Sequence, residues 1–107
     1  MTEEVPMSYE TLDTLGRRMV QKLREVAGAP QNAPAYLFWG QTPEELWKVL
    51  RDFAQNEALR AGIPPEILFP LRSVITRDGY TVMAILFHRG KLHLTGARVQ
   101  VMPTAKA

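Results

Sequence analysis

Residues 77–91 have the sequence RDGYTVMAILFHRGK, and this stretch decides the predicted fold. An Asp-Gly and an Arg-Gly dipeptide flank an apolar run of six residues, Val82 to Phe87. Dipeptides of this kind favour the two-residue turns of β-hairpins. We therefore predict a three-stranded antiparallel meander with turns at Asp78-Gly79 and Arg89-Gly90.

The two turns set the strand register. The first turn pairs Arg77 with Tyr80, Ile75 with Val82, and Leu71 with Leu86; the second pairs His88 with Lys91, Phe87 with Leu92, and Ile85 with Leu94. This register predicts a core face that consists of Val74, Met83, Ile85, Phe87, Leu92 and Leu94. We predict a bulge at Gly96, which would bring Val99 and Val101 onto that face; without a bulge the two valines lie on the opposite face.

Two helices and one strand are predicted upstream of the meander. Apolar residues at helical spacing predict a helix over 8–27, with Gly28 just after it. Thr42-Pro43-Glu44-Glu45 has the pattern of a capping box and starts a second helix, predicted over 42–61 and ended by Gly62. Residues 35–40 between them, AYLFWG, favour a strand. Because its large side chains alternate to both faces, this strand should be central or lie in an interface.

These elements predict an α+β fold. The order is helix, strand, helix and then the three-stranded meander, with both helices packed on one face of a roughly four-stranded sheet. The chain has 107 residues, of which 46% are hydrophobic and 22% charged, as expected for one globular domain. We predict a single domain over 1–107, with frayed tails at 1–7 and 103–107.

The opposite face of this predicted sheet has no helix to cover it. Its large apolar side chains are Leu71, Ile75, Val82 and Leu86. Because exposed apolar patches of this size mark contact sites, these four residues form the predicted assembly face of a homodimer.

The positive charge is concentrated in the C-terminal part of the chain. Residues 1–62 carry seven Lys and Arg against nine Asp and Glu, whereas residues 63–107 carry six against two. Cations on edge strands also prevent unwanted strand pairing, which is one interpretation. The other is a nucleic-acid contact surface with six candidate residues, Arg77, Tyr80, His88, Arg89, Lys91 and His93.

No catalytic site is predicted. The chain has no cysteine, its seven glycines are dispersed, and Glu66 and Asp78 are the only acids after Gly62. His88 and His93 share a sheet face but have no predicted third ligand, so we predict neither a metal site nor a cofactor. The leading hypothesis is a non-enzymatic interaction or regulatory module that forms a homodimer. Nucleic-acid binding is the alternative.

An enzymatic alternative comes from architecture alone. Helices followed by a basic antiparallel sheet resemble the small ribonuclease toxins of the RelE and ParE type, although no residue motif assigns the chain to them. The resemblance implies that Tyr80, His88, Lys91 and His93 supply acid–base groups and stabilise phosphate. The short apolar runs predict neither a signal peptide nor membrane contact, and we expect a cytoplasmic protein.

Overall fold

The computed structural model describes residues 5–7 and 9–101, and the side chains of residues 10–100. It confirms the α+β class and the order of helix, strand, helix and antiparallel strands. In chain order the elements are β1 (Val5–Met7), α1 (Tyr9–Ala27), β2 (Ala35–Trp39), α2 (Pro43–Asn56), a 3₁₀ turn (Pro65–Ile67), α3 (Leu71–Asp78), β3 (Val82–His88), β4 (Lys91–Ala97) and β5 (Val99–Val101). No helix in this part of the chain is long and apolar enough to cross a membrane.

The main sheet has three antiparallel strands in the order β2-β3-β4. The predicted register of the second hairpin is confirmed, with His88 opposite Lys91 and Ile85 opposite Leu94. A separate parallel pair joins β1 to β5. Residues 5–7, which were predicted to be frayed, therefore form a strand, and the rest of the two predicted tails lies outside the described residues.

Strand β3 is buried on both faces. On one face Val82, Ala84 and Leu86 pack with α1, and on the other Met83 and Ile85 pack with α2 and α3. All five are 0% exposed. The prediction that the helices share one face is therefore wrong: α1 covers the face that was expected to stay open. The other residues of the predicted core face lie on the α2–α3 side of the sheet as predicted, whereas Val74 packs against the same core from α3 and is not part of the sheet.

The first predicted strand of the meander is instead α3, so the predicted pairs between 71–77 and 80–86 are wrong. Leu71 and Ile75 are four residues apart, a spacing that also suits one face of a helix, and both are buried against α2. Gly79 has φ of 69° and forms the left-handed C-cap of α3. The Asp-Gly dipeptide therefore ends a helix here and does not turn a hairpin, and β2 takes the place beside β3.

The start of α2 is as predicted, but its end is not. The Glu45 amide donates to Thr42 Oγ1 at 3.1 Å, and the Gln41 amide donates to Glu45 Oε1 at 2.9 Å. The helix ends at Asn56, five residues before the predicted end, and Glu57 is its C-cap. Residues 57–62 continue as turns.

Strand β4 passes Gly96 without a bulge. Gly96 pairs with Met83 in regular register. Val99 is consequently buried with α1 on the face opposite the predicted core face, the outcome expected without a bulge. A Cβ at Gly96 would overlap the Tyr80 ring, so the glycine admits this ring against the strand. The Val101 side chain lies outside the described residues.

Thr81 links the start of β3 to β5. Its hydroxyl is buried, donates to the Val99 carbonyl at 2.7 Å and accepts from the Val99 amide at 2.8 Å. The Thr81 amide donates to the Ala97 carbonyl at 3.0 Å. One side chain therefore satisfies both backbone groups of a buried residue at the junction of the two sheets.

We predict that Thr81→Val destabilises the fold by about 1–3 kcal/mol, because it leaves the buried Val99 amide and carbonyl without partners. Urea denaturation followed by circular dichroism measures the change. Thr76→Val is the matched control, since the exposed Thr76 hydroxyl bonds only to carbonyls of its own helix and its loss should cost under about 0.5 kcal/mol. Equal midpoints for the two variants would contradict the linking role of Thr81.

Candidate functional site

The predicted assembly face is not exposed. Leu71, Ile75, Val82 and Leu86 are all buried within the chain, at 6% exposure or less. Val82 and Leu86 lie under α1, whereas Leu71 and Ile75 face the core between α2, α3 and the sheet. These residues are therefore not available to a partner, and an assembly contact must use another surface.

One edge of the sheet offers such a surface. Strand β2 is the first strand of the order β2-β3-β4, and within residues 5–7 and 9–101 no strand lies on its other side. The Gly40 amide donates to the Thr81 carbonyl at 2.9 Å. Since every second residue of an antiparallel strand bonds to the same neighbour, Tyr36 and Phe38 bond toward β3. Leu37 therefore directs its N–H and C=O groups away from the sheet.

The two edges of the sheet differ in composition. β4, at the other edge, carries Lys91 and is followed by Arg98, and charges of this kind discourage a further strand from pairing. β2 carries no charge and no proline over its five residues, Ala-Tyr-Leu-Phe-Trp. The outer edge of β2, which we call the β2 edge, therefore lacks the usual protection against pairing.

Exposed apolar side chains flank the β2 edge on both faces of the sheet. Leu37, 38% exposed, lies on the α1 face in a groove that is also lined by Gly16 and Val20. Val49, 43% exposed, lies on α2 in a second groove along the strand. A Cβ at Gly16 would overlap Leu37 Cδ2, so the glycine makes room for the leucine. An added strand would thus find both backbone partners and apolar contacts.

Aromatic packing holds β2 in place. The Phe53 ring of α2 lies 4.9 Å from the Tyr36 ring and 5.1 Å from the Phe38 ring, between centroids. Phe38 and Phe53 are both 7% exposed and belong to the core. The β2 edge is therefore presented by a strand that is fixed against α2.

The six predicted nucleic-acid contacts do not form one cluster. Arg77 and Tyr80 lie where α3 meets the start of β3, whereas His88, Arg89, Lys91 and His93 lie at the β3–β4 hairpin. Eight residues of extended chain separate position 80 from position 88, which corresponds to about 25 Å. The first two residues therefore cannot contact the same phosphate as the other four, and Tyr80 cannot share one catalytic centre with the histidines.

Arg77 already has an anionic partner. Its Nε and Nη2 atoms donate to the two carboxylate oxygens of Asp78 at 3.1 and 3.2 Å. This hydrogen bonding lowers the pKa of Asp78 and raises the pKa of Arg77. A phosphate would have to displace the carboxylate, so Arg77 is a weak candidate for anion binding.

The other four candidates form one group at the hairpin, which we call the hairpin quartet, and Arg89 and Lys91 carry its positive charge. Arg89 and Gly90 both have positive φ, 53° and 77°, as a two-residue turn of type I′ requires. His88, Lys91 and His93 share the sheet face on which α1 lies, with His88 and His93 diagonal across the strand pair. Among the described residues, no three His, Asp or Glu side chains are grouped to hold a metal ion.

Comparisons with known protein families, with curated proteins and with solved structures find no significant match to this chain. The architectural resemblance to ribonuclease toxins therefore gains no support from them. The two candidate surfaces, the β2 edge and the hairpin quartet, must be judged by their own chemistry.

We predict that Arg77→Met raises the pKa of Asp78 toward its ordinary value, because the largest cause of the lowered pKa is the Arg77 hydrogen bond. A lowered pKa in the folded state stabilises the fold above the unfolded pKa, and this contribution is lost as pH falls through the folded pKa. The carboxyl carbon shift of Asp78, titrated by NMR from about pH 2 to pH 6, measures the change. An unchanged midpoint would contradict the pairing, and Arg72→Met on the same helix should leave it unchanged.

Proposed function

We propose that this protein is a non-enzymatic interaction module that functions as a homodimer, and that two copies pair along their β2 edges. The observation that carries the proposal is the unprotected β2 edge, with the exposed side chain of Leu37 at its centre. Open edges with unpaired backbone groups are templates for a strand of another chain. Two copies joined in this way would form one continuous sheet of six strands.

The sequence of β2 suits pairing with itself. In an antiparallel pair centred on Leu37, the two leucines lie opposite each other on the two-fold axis. Tyr36 then faces Phe38 of the second copy, and Ala35 faces Trp39. Aromatic residues thus meet aromatic residues, and the smallest side chain meets the largest. A two-fold interface requires this kind of self-complementary patch.

Charges on α1 favour the same arrangement. The groove beside Leu37 has Asp13 toward one end and Arg24 toward the other, eleven residues apart in the sequence and about 16 Å along the helix. A two-fold rotation about Leu37 brings Asp13 of one copy toward Arg24 of the second. The Arg24 guanidinium is already fixed by hydrogen bonds of 3.0 and 3.1 Å to the Ala33 carbonyl. Asp13 is also paired with Arg17 of its own helix at 2.9 Å, so each end of the interface would bring the Arg24 guanidinium to an existing ion pair, a contact that is compatible with this orientation.

The proposal replaces the predicted assembly face but keeps the predicted homodimer. It also agrees with the expectation that β2 lies either at the centre of a sheet or in an interface, because pairing makes the edge strand a central one. Nucleic-acid binding, the alternative function, concerns the hairpin quartet at a different part of the surface.

We predict that the purified chain has a mass near twice 12.1 kDa, and that Leu37→Lys and Val49→Lys each shift it to the monomer. A lysine on the β2 edge, or beside it on α2, places an uncompensated charge against the second strand. Multi-angle light scattering after size exclusion, at protein concentrations from micromolar to about 100 micromolar, measures the mass.

Val26→Lys is the matched control, because Val26 is 67% exposed and lies on the side of α1 away from the β2 edge. This variant should keep the wild-type mass. A monomeric wild type over the whole concentration range would overturn the proposal. A dimer that all three variants leave intact would place the interface elsewhere and would equally contradict it.

A further inference from the structure

We propose that the hairpin quartet, extended by Lys22 and Arg18 of α1, binds the phosphate backbone of nucleic acid. This cationic surface is separate from the β2 edge, and the inference does not rest on the homodimer. It narrows the predicted contact set, since Arg77 and Tyr80 lie at the other end of the sheet. It also adds two helix residues, Arg18 and Lys22, to that set.

The placement of α1 brings its two cations to the hairpin. Leu12, Met19 and Leu23 face the sheet, and Arg17, Val20 and Arg24 line the groove toward β2. At 100° per residue, Arg18 and Lys22 fall on the opposite side of the helix, toward β4.

The direction of the helix places Lys22 near the same end of the sheet as the quartet. The chain leaves α1 at Ala27 and enters β2 at Ala35, and Ala35 lies opposite Leu86. On the other side of β3, Leu86 lies opposite His93. The C-terminal turns of α1, which include Lys22, are therefore at the hairpin end, and Arg18 lies one turn earlier.

Acids are scarce around this surface. Residues 79–101, which include β3, β4 and their turn, contain no Asp and no Glu. The one acid of α1 beside this surface is Glu25, three residues after Lys22, and its carboxylate accepts a hydrogen bond from Gln21 Nε2 at 3.4 Å. Arg89, Lys91, Lys22 and Arg18 are exposed, so their charges are available to a ligand. Cations without matching acids produce a local positive potential that attracts a polyanion.

The backbone at Arg89 supports a function for this side chain. Its φ of 53° lies in the left-handed region, where a side chain other than Asn, Asp or Gly is disfavoured. Asn-Gly is the preferred pair for such a turn. An arginine in a strained position suggests that its charge at the tip of the hairpin is used.

The expected ligand follows from the side chains that the surface offers. The two apolar rings nearest the hairpin, Phe87 and Tyr36, lie on the opposite sheet face and are partly buried, so they are not placed to stack on bases. Arg and Lys contacts to phosphate carry no sequence information. We therefore expect binding that depends on the backbone and shows little preference for sequence.

Fluorescence anisotropy with a labelled 20-nucleotide RNA, the same single-stranded DNA and its duplex tests the proposal at about 50 and 200 mM salt. For four phosphate contacts we expect affinity to fall roughly 150-fold for the duplex and roughly 50-fold for single strands across this range. No binding at 50 mM salt would overturn the proposal. Binding that does not weaken with salt would also overturn it, because it would not be carried by phosphate contacts.

Arg89→Asn is the most informative variant. Asn tolerates the left-handed backbone of the turn, so the variant should have a higher melting temperature. Because it also removes one charge, it should bind several-fold more weakly, and its dependence on salt should be less steep by about one phosphate contact. Lys22→Gln should weaken binding to a similar degree. Loss of binding in Arg89→Asn thus cannot be attributed to unfolding.

Arg72→Gln is the matched control, because Arg72 is exposed on α3, which packs on the other face of the sheet. It removes the same unit of charge and should leave binding nearly unchanged. If Arg72→Gln weakens binding as much as Arg89→Asn, the affinity reflects net charge alone and the proposed site is wrong. Polyglutamate, a polyanion without phosphate, gives a second control. If it displaces the nucleic acid at equal charge concentration, an acidic protein segment could bind equally well, and the proposal of a nucleic-acid site is contradicted.

Discussion

The burial of β3 on both faces is the constraint on which the rest of the structure depends. Val82, Ala84 and Leu86 face α1, whereas Met83 and Ile85 face α2 and α3, and all five are inaccessible to solvent. A strand whose first six residues are all apolar cannot have one solvated face, so helices must lie on both sides of the sheet. The separation of α1 from the other two helices follows from this requirement.

A narrow sheet between two helical layers leaves its edges as the accessible parts of its backbone. β4 protects one edge with charges, which also contribute to the cationic surface at the hairpin. β2 carries no charge at the other edge, which is flanked by the exposed side chains of Leu37 and Val49. The two proposed surfaces are thus the two edges of one sheet, and the difference between them is a difference in side-chain charge. A phosphate contact should weaken steeply with salt, whereas an apolar strand pairing should change little, which keeps the two proposals separable.

Local sequence was sufficient for some elements but not for others. The Arg-Gly turn and the alternation on either side of it correctly predicted the β3–β4 register, and the capping residues correctly predicted the start of α2. Residues 71–78 were ambiguous, because Leu71 and Ile75 suit a strand by their types and a helix by their spacing. The Asp-Gly pair after them can close a hairpin or cap a helix, and the choice depends on packing against α2 that no local pattern shows. Because residues 71–78 form a helix, β2 pairs with β3 in their place. The wrong strand assignment therefore also made the predicted assembly face wrong.

The candidate surfaces were predictable to a similar degree. The quartet follows from composition, whereas Arg18 and Lys22 join it only through the placement of α1. The composition of β2 led to the expectation that this strand is central or lies in an interface, but the edge position of Leu37 depends on strand order, which the sequence did not specify.

A single-cysteine variant tests the central claim, that two copies pair along β2, most directly. The chain has no cysteine, so Leu37→Cys introduces one thiol per copy. In the proposed register the two thiols lie opposite each other across the two-fold axis, within the Cα separation that a disulfide accepts. Mild oxidation should convert most of the protein into a disulfide-linked dimer, and Val26→Cys should stay largely monomeric under the same conditions. Slow or equal cross-linking of the two variants would contradict pairing along β2.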